Sequence, residues 1–221
     1  MRKSTCLLFL YVLLVCSSVF AQVAQGHDYE SSWDEIEALQ KERLPKSVTA
    51  KLDTLYQIAQ AENRVDQQLK ALIWEFSVID PQHKASETRP IQRSLERLDG
   101  AGFPASALIH SILGAQYWAY LQRNLGRLEK SGSTFYADEG DVNTWDKHAL
   151  IQRAAEHFLL SLEHADQLGS ISISDFRSIL RGTQEAFDLH SSLLDFLAYR
   201  AKKFLEHTDV MQGLGYDETT L

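Results

Sequence analysis

The sequence predicts an all-α fold, in which antiparallel helical hairpins stack into a right-handed, tetratricopeptide-like array. Three observations carry that expectation. Apolar residues between Tyr29 and His207 recur at a spacing close to the helical period. The breaks between those stripes hold residues that start and stop helices. Four Pro and 11 Gly in 221 residues are too few for the closely spaced turns of a β-sandwich.

The elements follow in order. Ser32-Trp33-Asp34-Glu35 reads as a capping box, with the Ser32 hydroxyl and the Glu35 carboxylate each satisfying an orphan N–H, so a first helix runs from about Trp33 to Arg43. Leu44-Pro45-Lys46-Ser47 breaks it, and Pro45 suits the first position of the next helix, where no N–H is needed. Val48, Leu52, Leu55, Tyr56 and Ala59 share one face of that second helix. Val65, Leu69, Leu72, Ile73 and Phe76 share one face of a third. The connection at Asn63 is so short that the two lie antiparallel, and Asp80-Pro81 closes the hairpin.

A polar stretch from Gln82 to Arg89 leads to a modest helix carrying Ile91, Leu95 and Leu98, stopped by Gly100-Ala101-Gly102. Pro104 opens the longest helix, whose stripe includes Leu108, Ile109, Leu113, Tyr117, Tyr120, Leu121 and Leu128; about 25 residues make it nearly 40 Å long. Gly114, Ala115 and Ala119 leave room on it for a close neighbour. Glu129 to Asn143 reads as a solvated linker. Asn143 or Thr144 then caps a helix burying Leu150, Ile151, Ala154, Phe158 and Leu162. A short helix around Asp175 to Leu180 precedes a last one from about Leu189 to Glu206, built on Leu193, Leu194, Leu197, Ala201, Phe204 and Leu205. Residues 28–208 thus make the helical-hairpin domain, and residues 209–221 a flexible tail. Leu113-Gly114 with Tyr117, and Ala154 with Phe158 and Ser161, echo the two halves of a tetratricopeptide repeat, though farther apart than its period of about 34 residues.

Residues 1–21 read as a signal peptide. Arg2 and Lys3 precede the apolar run Leu7 to Val15, and Val19-Phe20-Ala21 is a cleavage site, so cutting is expected after Ala21 and export to the periplasm or cell envelope follows. The apolar run is short for a membrane span, and none is expected after cleavage. Cys6 and Cys16 both lie in this leader, which leaves no cysteine for a disulfide, a thiol nucleophile or a zinc site. Val15 is too bulky for a lipidation site at Cys16. A net charge of −8 argues against nucleic acid as a partner.

Motifs of catalysis and cofactor binding are missing. Eight histidines include no HExxH pair, and His157 and His164 stand two turns apart. Asp34, Glu35 and Glu37 sit where a helix N-terminus favours negative charge. Asp138-Glu139-Gly140-Asp141 lacks the alternation and the closing Glu of an EF-hand. No nucleophile elbow, phosphate loop or dinucleotide-binding glycine pattern occurs. The expectation is a protein that is not an enzyme and needs no cofactor. Tyr117, Trp118 and Trp145 are the candidate partner-binding aromatics, suited to a peptide or a glycan, although their helical spacing equally fits a core.

Several segments together resemble the N-terminal helical region of the large alpha-2-macroglobulin-like proteins of Bacteroidetes: Trp33 with Ile36 and Leu39, Leu44-Pro45-Lys46-Ser47, Lys70-Ala71-Leu72-Ile73, Ser111-Ile112-Leu113 with Tyr117-Trp118, Thr144-Trp145-Asp146, and Leu194-Asp195-Phe196-Leu197-Ala198-Tyr199-Arg200-Ala201. The resemblance implies a helical module ahead of a series of β-sandwich macroglobulin domains that trap proteases, and hence a fragment of an endopeptidase inhibitor. Its partners would be those downstream domains or envelope proteins, with target proteases met through the domains this sequence lacks. The alternative expectation is a stand-alone periplasmic tetratricopeptide-like binding protein for a peptide or glycan.

Overall fold

A computed structural model describes residues 26–78, 87–129, 141–180 and 183–215. The expected signal peptide, both cysteines, Asp80-Pro81, most of the Gln82–Arg89 stretch, most of the Glu129–Asn143 linker and the end of the tail lie outside these residues. Among the described residues the fold is all-α. Its helices are α1 (Tyr29–Lys41), α2 (Pro45–Ala61), α3 (Val65–Val78), α4 (Arg89–Leu98), α5 (Ala105–Leu128), α6 (Lys147–Leu160), α7 (Ala165–Ser170), α8 (Gln184–Leu189), α9 (Leu193–Leu205) and α10 (Thr208–Gly213).

The punctuation residues act where the sequence places them. Pro45 is the first residue of α2. Asn63 takes a left-handed φ of 55°, a conformation asparagine tolerates, and reverses the chain from α2 into α3. Across that hairpin Gln68 donates to the carbonyl of Ala59, so the two helices run antiparallel. α5 is the 24-residue spine. α6 returns along it antiparallel, as His110 meets His157 near one end and the hydroxyl of Tyr120 donates to Asn143 near the other. Gly114 is the close-approach point of this pair: a Cβ there would stand 2.8 Å from the Phe158 ring. α9 packs on the other side of α5 and α6, through Trp118, Phe158 and Phe204. A single core joins these layers, from Trp33 and Ile36 through Leu52, Leu72 and Ile109 to Leu121, Ile151, Leu197 and Val210. Each such fully buried aliphatic side chain contributes about 1.5–3 kcal/mol.

Four local expectations are corrected. α1 begins a turn earlier than the Ser32 box implies: Asp28 is its N-cap, accepting from the Ser31 N–H at 3.1 Å, while Ser32 Oγ donates back to the Asp28 carbonyl. Aspartate caps as well as serine does, and the earlier start packs Tyr29 against the core. Of the Ile91–Leu95–Leu98 stripe, α4 buries Ile91 and packs Leu98 against the core, but not Leu95. It turns Ile91, Ser94 and Arg97 inward and leaves Leu95 at the surface, because Arg97 finds ionic partners inside. Asp146 caps α6 by accepting from the Ala149 N–H at 2.7 Å; Asn143 and Thr144 lie instead in a 3-10 turn capped by Asp141. Near the C-terminus, residue 209 is not the start of a loose tail. α10 continues there, with Val210 fully buried and Gly213 so close to Ile151 that a Cβ would meet its Cδ1 at 2.5 Å.

Candidate functional site

The three aromatics singled out by the sequence do not form one surface. Tyr117 is buried and stacks on Trp145, with ring centroids 5.5 Å apart and planes within 10°. Trp145 is itself only 5% exposed. These two are core, since position 117 falls on the inward stripe with Leu113 and Leu121 and the turn before α6 folds Trp145 onto it. Trp118 is half-buried on a different side of α5, edge-on to Phe204 and 5.0 Å from His207. A peptide or glycan platform of Tyr117, Trp118 and Trp145 is therefore not what the fold presents.

What the fold does assemble comes from residues far apart in sequence. The first assembly is ionic. Arg93 and Arg97 on α4 both meet Asp53 of α2. They also meet Glu75 of α3, with Arg93 Nε 2.7 Å from Oε2 and an Arg97 terminal nitrogen 2.5 Å from Oε1. The Arg97 guanidinium lies 4.0 Å over the Tyr56 ring. An open cavity of about 590 Å³ adjoins it, between Pro45, Thr49, Asp53, Val78 and Arg93. Both carboxylates are held by guanidinium groups, so the cluster cross-braces α2, α3 and α4 and offers no free general base.

A second assembly is a histidine pair. Nδ1 of His110 lies 2.8 Å from Nδ1 of His157, so one ring donates there and the other accepts, and their tautomers differ. Burial holds His110 below its ordinary pKa. For His157, burial first, then the neighbouring His110 and Arg153, push the pKa from 6.5 down to about 4; Glu156 and Glu163 act in the opposite sense on His110. Because the folded pKa lies below the unfolded one, the unfolded chain binds more protons between these values. The pair's contribution is present above about pH 6.5 and is lost as pH falls through about 4, a change on the order of 3 kcal/mol for His157. His157→Gln should flatten that part of the profile in urea titrations at pH 7 and 4.5; parallel losses in variant and parent would show that the ring does not titrate this way. Among the described residues no group of His, Asp and Glu is arranged to hold a metal ion.

The third assembly is a cavity of about 210 Å³ between α3, α4, α5 and α9. Its wall is apolar, from Phe76, Pro90, Ile91, Ile112 and Ala115, and Glu87 and Arg123 also border it. Into it α9 contributes Arg200, half-buried, with one hydrogen bond of 3.2 Å to the carbonyl of Ser111 and a Phe196 ring 5.6 Å away. No carboxylate among the described residues pairs with this guanidinium, and burial alone lowers its pKa. Gln116 lines the same cavity, and neither its amide oxygen nor its nitrogen has a partner. The Ser111 hydroxyl is buried and unpartnered as well.

Reading the sequence for local motifs misses all three assemblies. Their members sit on separate helices, 22 residues apart for Glu75 and Arg97, 47 for the histidines and 89 for Ser111 and Arg200. The usable signal was an arginine within an apolar helical stretch, Leu197-Ala198-Tyr199-Arg200-Ala201, where a charge on a core-facing turn needs a reason. Compared with known protein families, characterised proteins and solved structures, the chain matches none.

Proposed function

We propose that this chain is a non-catalytic helical interaction module, the N-terminal part of an exported alpha-2-macroglobulin-like endopeptidase inhibitor of the cell envelope. The observation that carries an interaction role is the cavity between α3, α4, α5 and α9: apolar-walled, open to solvent, and bordered by the Arg200 guanidinium, which spends one hydrogen bond on the Ser111 carbonyl and has no carboxylate partner among the described residues. A group of that kind costs free energy when buried alone and recovers it when a ligand pairs with it. The family reading rests on the run of motifs from Trp33 to Ala201. In that setting the module docks on downstream macroglobulin domains or on envelope proteins, and proteases are met elsewhere in the assembly.

A second reading, a periplasmic tetratricopeptide-like binding protein, is favoured by the packing of Gly114 against Phe158, which brings together the two segments that echo the halves of that repeat. In that reading the hairpins stack in a right-handed array and the ligand occupies the Arg200 cavity. An antibody raised to residues 30–207 separates the two. In envelope and periplasmic fractions of the source cells, the first reading expects a native species many times heavier than this chain. A species near 25.1 kDa or slightly below would overturn it in favour of the second.

A further inference from the structure

We propose that the cavity between α3, α4, α5 and α9 binds a small organic oxyanion, a carboxylate or a phosphate carried on a short apolar body, with Arg200 holding the charged end. This deepens the reading of the chain as an interaction module and rests on it.

The guanidinium is both unspent and within reach of a ligand. Arg200 extends from α9 to α5 and gives one terminal N–H to the Ser111 carbonyl at 3.2 Å. Its other nitrogens have no hydrogen bond, yet they are not closed off from solvent. The Gln116 amide on the same wall differs in this respect: its oxygen and nitrogen are both sealed in, so it takes no part in holding a ligand. A cation drawn half out of water without an acid beside it costs free energy, and burial accordingly lowers the Arg200 pKa. If pinning α9 to a backbone carbonyl were the whole task, a neutral donor would serve without that cost. A guanidinium in such surroundings is best matched by a carboxylate or a phosphate, which its planar fork holds through two parallel hydrogen bonds.

The surroundings set the rest of the ligand. Phe76, Ile91, Ile112 and Ala115 supply an apolar wall, which a fully hydrated inorganic ion does not use. A volume of about 210 Å³ suits a short branched body and not a long acyl chain. Arg123 and Glu87 border the same cavity with opposite charges, so Arg200 remains the unbalanced charge of the site. That balance disfavours a cationic ligand and calls for one anionic group. The hydrogen bond to Ser111 holds the Arg200 head before any ligand arrives, which lowers the ordering cost of binding.

The test is calorimetric titration of the full chain with isocaproate, isoamyl phosphate, isocaproamide and acetate. At least one of the two apolar anions is expected to bind at least tenfold more tightly than the uncharged amide and than acetate. Whichever of them binds more tightly tells a carboxylate site from a phosphate site. Arg200→Gln should lower the affinity for that anion at least tenfold and bring it level with the amide. Arg200→Lys, which keeps the charge and loses the planar fork, should fall between. Arg200→Gln also removes the tie between α9 and α5, so Ala115→Leu provides an independent variant that fills the cavity and leaves the guanidinium in place. It should weaken anion binding at least tenfold with the unfolding midpoint unchanged or raised. Anion and amide binding alike, or no binding of either anion to the parent chain, would overturn the proposal. So would acetate binding as tightly as isocaproate and isoamyl phosphate, or undiminished binding in Ala115→Leu, since the charge would then be met outside this cavity. None of these results bears on the native size of the assembly, so failure of the ligand and failure of the module reading remain distinguishable.

Discussion

Glu75→Ala is expected to cost about 3–5 kcal/mol of folding stability, read as a large fall in the urea midpoint at neutral pH. Glu75 is the inner carboxylate of the cluster that joins α2, α3 and α4, with its side chain 4% exposed. Arg97 is nearly as deep, at 8%. Removing the acid leaves Arg97 buried against Tyr56 with only Asp53 for company, and Asp53 is 45% exposed and screened by water. The stranded guanidinium sets the magnitude more than the lost attraction does. For the same reason Glu75→Leu combined with Arg97→Met should recover most of the loss, since neither change then leaves a charge alone. A loss below about 1 kcal/mol for the single variant would mean that Arg97 is solvated or paired elsewhere and that the brace is ornamental.

Gly114→Leu should be comparably damaging, at more than about 3 kcal/mol, and Gly114→Ala less so, at up to about 2 kcal/mol. A Cβ at position 114 lies 2.8, 2.9 and 3.0 Å from three atoms of the Phe158 ring. A free ring would swing away, but this one is backed by Phe204, stacked with its centroid 4.9 Å off. For alanine the overpacking cost of about 1–3 kcal/mol is partly offset by its helix propensity, better than glycine's by about 1 kcal/mol. Leucine gains the same propensity and adds three carbons to a space that does not hold the first. Placing Gly114→Leu together with Phe158→Ala should restore part of the stability, a coupling that unfolding of the single and double variants measures directly. Additive effects would show that α5 and α6 can separate at this point without loss.

Much of the fold is legible because its signals are local. Pro45 opening α2, Asn63 reversing the chain and the apolar stripe of α5 each depend on a few adjacent residues, and the structure places them accordingly. The expectation fails where two local signals compete or where a distant partner decides. Asp28 and Ser32 both cap helices well, and the start that packs Tyr29 prevails. Leu95 and Arg97 compete for the inside of α4, and the guanidinium wins because Glu75 and Tyr56 await it on α2 and α3. The candidate site suffers the same limit more severely. Aromatics are conspicuous in a sequence, yet Tyr117 and Trp145 serve the core, whereas Arg200 and Gln116 become conspicuous only once α9 is seen lying across α5.

The order of the helices bears on how the chain acquires its structure in time. α2 with α3, α4 with α5, and α5 with α6 are each neighbours both in sequence and in space, so their contacts close short loops and should form early and fast. α9 is different. It joins α5 across 89 residues through Arg200 and Ser111, and it seals the core over Phe158 and Trp118. Its docking is the slow, entropically demanding step. During folding the earlier hairpins would hold an unsealed apolar side until α9 docked, and that interval is when a chaperone has something to hold.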